Sequence, residues 1–70
     1  MEIRYTFHAE EQINKRKIEK IWIEEAIKSP DVTKHHGHKY YVIKNLDGRT
    51  LKVIYVKEKY IKVITSLFLK

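Results

Sequence analysis

The sequence contains no cysteine, which removes disulfide staples and thiolate metal sites together and argues for a reducing, intracellular setting. No apolar run comes near the roughly 18 residues needed to cross a bilayer. The N-terminus, with Glu2 and Arg4 close together, lacks the apolar centre of a signal peptide. The expected location is therefore the cytoplasm, with no membrane association. Glycine and proline are nearly missing as well, being confined to Gly37, Gly48 and Pro30. Helices and strands can run uninterrupted between these positions, and each of them acts as punctuation. The chain shows no internal repeat, linker or low-complexity segment.

What is present in excess is positive charge. Fifteen Lys and Arg stand against nine Asp and Glu, a net charge of +6 on 70 residues. Such an excess favours polyanions through phosphate neutralisation and counterion release, so nucleic acid, or an acidic protein that mimics it, is the natural binder. The composition also has a blander reading. Twelve lysines, 10 isoleucines and seven glutamates against one glutamine and two asparagines fit a thermophile. Seventy residues make one domain, residues 1–70, and a chain this short buries too little surface to be strongly stable alone. A partner or a homodimer is expected on that ground.

Residues 2–6 alternate weakly, which suits a short strand or an extended lead-in. From His8 to about Lys17 neither glycine nor proline interrupts. Glu10 and Glu11 sit where a helix's first turn would favour them, and Lys15, Arg16 and Lys17 where its last turn would. At 100° per residue Ala9 and Ile13 form a narrow apolar stripe, with His8, Gln12, Lys15 and Arg16 gathered beside it. A second helix over about 19–28 places Ile23, Ala26 and Ile27 on one side. It stops at Pro30, which also moves Ser29 away from helical dihedrals. Trp22 lies at the edge of that stripe and Ile21 well off it. The pair either completes the core or marks a contact surface.

From Val32 onward the pattern is β. Tyr40 to Ile43 runs into Asp47-Gly48, a pair suited to a tight hairpin, and Thr50–Val56 and Tyr60–Phe68 then alternate around Lys57-Glu58-Lys59. Strict alternation places Leu51, Val53 and Tyr55 on one face with Ile61, Val63, Thr65 and Leu67, and this face is expected to pack on the helices. Ile54, Val56, Ile64 and Phe68 fall on the other face among lysines. That face is too apolar for full solvation, so a partner or a dimer mate is expected to cover it.

Several of these residues could carry chemistry. An imidazole exchanges protons near neutral pH, and His8 would stand at a helix start beside Gln12, Lys15 and Arg16. Cleavage of RNA through its 2′-hydroxyl requires a proton acceptor, a proton donor and cations facing the charge that develops on the phosphate. Arg16 can supply that cation with two parallel donors, or it is a solvated charge at a helix end. Arg49 would begin a central strand, and Thr65 would lie late in the neighbouring one, so the two are expected to meet across the ladder. His35-His36-Gly37-His38 reads as a loop. Three histidines with only Asp31 nearby make a poor cage, so no metal site and no cofactor is expected. Tyrosines interleaved with lysines are able to stack on unpaired bases, although tyrosine is equally at home packed in strands.

Thr6, Phe7, His8, Ala9, Arg16 and Ile18, then Ile23, Ala26, Ile27, Pro30 and Asp31, resemble a prokaryotic family with the pattern F-T-x-H-A-x-x-R-M-x-x-R-G-I and the ending A-L-x-x-P-D. Gly48-Arg49-Thr50-Leu51-Lys52-Val53 and Val63-Ile64-Thr65 are similar to its later G-R-x-L-x-V and V-x-T segments. This is the domain of unknown function 4258 type, which looks related to the RelE and BrnT ribonuclease toxins. The resemblance implies two N-terminal helices packed on one face of a three- to four-stranded antiparallel sheet, an α+β domain. It implies a metal-independent endoribonuclease, the toxin of a toxin–antitoxin pair, acting on RNA or the ribosome and held in check by a small antitoxin. His8, Arg16, Arg49 and Thr65 would be its catalytic residues, with Gln12, Lys15 and Lys17 contacting nucleic acid. Two positions depart from the pattern: Gln12 replaces an arginine, and Lys17 a glycine. A neutral amide cannot replace a guanidinium's charge, which leaves a non-catalytic RNA- or ribosome-binding module, or a protein-interaction domain, as the alternatives.

Overall fold

The computed structural model describes residues 2–69. Its elements run β1 (Ile3–Tyr5), α1 (Phe7–Arg16), α2 (Lys20–Lys28), β2 (Val32–His36), β3 (Lys39–Leu46), β4 (Arg49–Lys57) and β5 (Ile61–Leu69). Local chemistry sets most of these boundaries. The Thr6 hydroxyl accepts the Ala9 N–H at 3.0 Å, so Thr6 caps α1, and Lys15 and Arg16 occupy its last turn. Lys17 ends the helix in the left-handed region at φ 55°, a conformation that costs a residue with a Cβ but none for glycine. Ser29 closes α2 by donating its N–H to Glu25 O at 2.8 Å, just before Pro30. Gly37 and Gly48 take positive φ in the two tight turns, each flanked by paired residues, His36 with Lys39 and Leu46 with Arg49.

The chain is α+β, but the expected three- to four-stranded antiparallel sheet gives way to five strands in a mixed sheet, in the order β1-β5-β4-β3-β2. β1 runs parallel to β5, placing Ile3 beside Ile61 and Tyr5 beside Val63. The weak alternation of residues 2–6 fits such a strand, but three residues are too few to reveal a parallel partner. β2 is the other addition. His35 and His36, read from sequence as loop residues, lie in this edge strand opposite Tyr40 and Lys39. Only Gly37 and His38 form the turn. All five residues of β2 are exposed, so no buried face imprints a period of two on the sequence.

Both helices cover one side of the sheet. Ala9, Ile13, Ile23 and Ala26 bury themselves against Val42, Leu51, Val53, Ile61 and Val63. One irregularity changes which residues share that side. Tyr55 pairs with Val63 and Ile54 with Thr65, so β5 holds one extra residue, Ile64, at a bulge. Beyond it the alternation of β5 is reversed relative to β4. Val53 is opposite Ser66 and Leu51 opposite Phe68, which puts Ser66 and Phe68 on the helix side, where Ser66 is fully buried and Phe68 packs on the core. Thr65 and Leu67 therefore face outward with Ile54 and Lys52, the reverse of the alternation read from sequence for these two residues and for Phe68. Trp22 completes the core edge, meeting Phe68 edge-on at 6.0 Å, while Ile21 remains 64% exposed.

Candidate nucleic-acid interface

The bulge brings two arginines from distant parts of the chain onto one short stretch of β5. Arg16 ends α1 and donates from Nη1 to the Ser66 carbonyl at 2.8 Å. Arg49 opens β4 on the helix side, its guanidinium carbon 3.5 Å from the centre of the Phe68 ring. A guanidinium stacked on an aromatic face keeps its edge donors free. Arg16 spends one donor on a neutral carbonyl and retains the others. Both residues are exposed, and among the described residues no carboxylate lies within ion-pair distance of either. Two guanidiniums anchored on residues two apart on one strand suit a clamp for an anion with several oxygens.

Polar atoms without partners lie beside this clamp. Gln12 stands one helical turn before Arg16, and its Oε1 is buried with no hydrogen-bond partner, as is the Oγ of Ser66. Both residues adjoin Arg16, Gln12 along α1 and Ser66 through its carbonyl. Lys15 and Lys17 are exposed near the same end of α1.

The other proposed site residues lie apart from the clamp. His8 is exposed at the opposite end of α1, about 12 Å from Arg16 along the axis at 1.5 Å per residue. No hydrogen bond or ring contact joins it to Arg16, Arg49 or Thr65 among the described residues. Thr65 does not meet Arg49 across the ladder, because it pairs with Ile54 and faces away from the helices. The two anchors, Ser66 and Phe68, escaped the sequence reading. Unbroken alternation conceals Ser66 and assigns Phe68 to the wrong face, and only an anomalous polar residue in an apolar strand hinted at the break.

Among the described residues no group of three His, Cys, Asp or Glu side chains is placed to hold a metal ion. His35 and His36, as neighbours in a strand, point to opposite faces. His35 stacks on Tyr40 at 5.0 Å, and Tyr40 in turn on Tyr55 at 5.2 Å. Burial raises the Tyr55 hydroxyl above its ordinary value, with Tyr40 adding to the shift. Tyr5 is pushed up to about 12, first by burial and then by Glu24 and Glu10. None of the described helices is long and apolar enough to cross a membrane.

The profile of a family described as Domain of unknown function (DUF4258) matches residues 5–66. No curated protein and no solved structure matches the chain.

Proposed function

We propose, from the premise that the chain belongs to the family described as Domain of unknown function (DUF4258), that this protein is a small RNA-directed toxin. In this reading the Thr6–Ile18 segment is the signature of a group related to the RelE and BrnT ribonucleases. The observation that supports it is the Arg16–Arg49 clamp on Ser66 and Phe68, in a chain of net charge +6. The clamp holds an RNA phosphate, and Gln12, Lys15 and Lys17 add contacts along the strand. The reaction is metal-independent. His8 takes the proton of a 2′-hydroxyl, the freed oxygen bonds the adjacent phosphorus, and the bond to the 5′-oxygen breaks as that oxygen regains a proton from the imidazolium. With His8 about 12 Å from Arg16 along α1, Arg16 and Arg49 bind a neighbouring phosphate of the strand and hold it in place. A small antitoxin that covers the clamp is the protein partner.

Cleavage of RNA by the purified chain in the presence of EDTA tests this reading. His8→Ala is expected to lower the rate by about 10² or more with little change in RNA affinity. Equal rates for the two proteins would remove His8 from the reaction.

A second reading has its own support: the neutral Gln12 and the distance of His8 from the clamp favour an RNA- or ribosome-binding module that does not cut. Tight binding by wild type with no cleavage of free or ribosome-bound RNA selects it.

A further inference from the structure

The face of the sheet turned away from the helices sets several lysines among the apolar side chains of Ile43, Ile54 and Val56, and so differs chemically from the clamp. Lys34 and His36 of β2, Lys39 and Tyr41 of β3, Lys52 of β4 and Lys62 of β5 all project from this face by the pairing of the strands. None of the strands β2 to β5 contains a carboxylate, Asp47 and Glu58 lying in the turns between them. Asp31, in the turn before β2, has its carboxylate occupied by the Asn45 N–H at 2.7 Å. None of these four lysines has an ion-pair partner among the described residues. Four of the chain's positive charges thus stand uncompensated on one face.

Tyr41 lies at the centre of that charge. Its ring has Lys39 Nζ at 5.6 Å and Lys52 Nζ at 5.8 Å from its centre, and the His36 ring stands against it edge-on at 6.4 Å. Together with Lys34, Val32 and Ile43 these residues line a shallow cleft of about 290 Å³. Unlike Tyr40 on the opposite face, Tyr41 has no aromatic ring stacked flat against it.

We infer that this outer face is a second nucleic-acid surface, a platform on which a base of single-stranded RNA stacks against Tyr41 while Lys34, Lys39, Lys52 and Lys62 track the backbone. Sequence-tolerant binding of single strands combines a basic groove with an aromatic face. A duplex has no free base face to offer. A second copy of the chain would set four lysines against four, and like charges across an interface disfavour it. The choice of RNA among polyanions rests on the reading given under Proposed function. The site does not, because it lies on the opposite side of the sheet from Arg16 and Arg49.

The experiment measures the affinity of the full chain for a fluorescent oligouridine and for an RNA duplex of equal length. Tyr41→Ala is expected to weaken oligouridine binding by about 5- to 150-fold and to leave duplex binding unchanged, whereas Tyr41→Phe keeps wild-type affinity. Lys52→Gln is expected to lower the salt slope for the single strand by about 0.7. Should Tyr41→Ala fail to fold, the Lys39→Gln/Lys52→Gln double variant gives the same reading, with a slope lowered by about 1.4. Wild-type affinity in a folded Tyr41→Ala protein overturns the platform. So does an equal loss in Tyr41→Phe. If wild type binds oligouridine and only Arg49→Gln weakens it, the RNA reading stands and this face is excluded. If wild type binds no RNA at low salt, both fall. Retention of polyglutamate that depends on Tyr41 and Lys52, with RNA affinity unchanged in the same variants, would overturn the platform in favour of an acidic protein partner.

Discussion

At Lys17 the backbone adopts φ 55°, a conformation better suited to glycine than to a lysine. A left-handed conformation costs an L-residue with a Cβ roughly 1–2 kcal/mol, partly offset in glycine by the greater freedom of its unfolded chain. Lys17→Gly should therefore stabilise the domain by about 0.5–1 kcal/mol, visible as a rise of several degrees in Tm. An unchanged or lower Tm would show that the lysine makes up for its backbone elsewhere. Tyr5 gives a pH test. Its hydroxyl is buried without a partner and its pKa is pushed up to about 12 from 10.0. The folded state therefore favours the protonated phenol. That contribution is complete below pH 10 and is lost as pH rises through 12. Denaturant titrations from pH 9 to 12 should show wild type losing more stability than Tyr5→Phe, and parallel curves would contradict the assignment.

At the scale of elements, the cap of α1 and the bulge of β5 are tied together. The Thr6 hydroxyl accepts the Ala9 N–H and also reaches the Ile64 carbonyl at 3.4 Å, so one side chain starts the helix and holds the bulge to it. Thr6→Ala should cost about 1 kcal/mol, the usual loss for a helix cap. The bulge itself predicts an asymmetry between deletions. Removing Ile64 takes away the extra residue and leaves Ser66 and Phe68 facing the helices. Removing Leu67 turns Phe68 outward, away from Trp22, because a one-residue slip exchanges the faces of a strand. The Ile64 deletion should remain folded at 25 °C and the Leu67 deletion should lose far more stability, as thermal unfolding of the two will show. Similar losses would mean that the reversal at Ile64 does not decide the face of Phe68.

For the whole molecule, charge and size govern behaviour. A net +6 spread over both the clamp and the outer face predicts RNA binding that weakens steeply with salt, with a slope near −0.7 per phosphate neutralised on a single strand. Removing one cation, as in Arg16→Gln, should flatten that slope by about one contact. An affinity independent of salt would rule out phosphate neutralisation as the driving force. The two ion pairs among the described residues, Arg4 with Glu2 and Lys20 with Glu10, are about half exposed and add little to stability. The small core of Ala9, Ile23, Val53 and their neighbours must therefore supply most of it.

The sequence alone determined the features that depend on a few neighbouring residues. The α1 stripe of Ala9 and Ile13, the basic last turn at Lys15 and Arg16, the stop at Pro30 and the Asp47-Gly48 turn follow from local dihedrals and from side chains within one or two turns. So does the α+β class. Tertiary structure decided the rest. The parallel pairing of β1 with β5 joins the two ends of the chain. The entry of His35 and His36 into a strand depends on the partner strand β3 rather than on their own polarity. The extra residue at Ile64 is invisible until β5 is laid against β4, since a bulge is defined by a count of two residues opposite one. On that count depend the separation of Thr65 from Arg49 and the anchoring of Arg16 on Ser66 and of Arg49 on Phe68. Pairings between residues far apart in sequence leave no periodic trace in the chain, because burial that arises only after the strands meet sets their register.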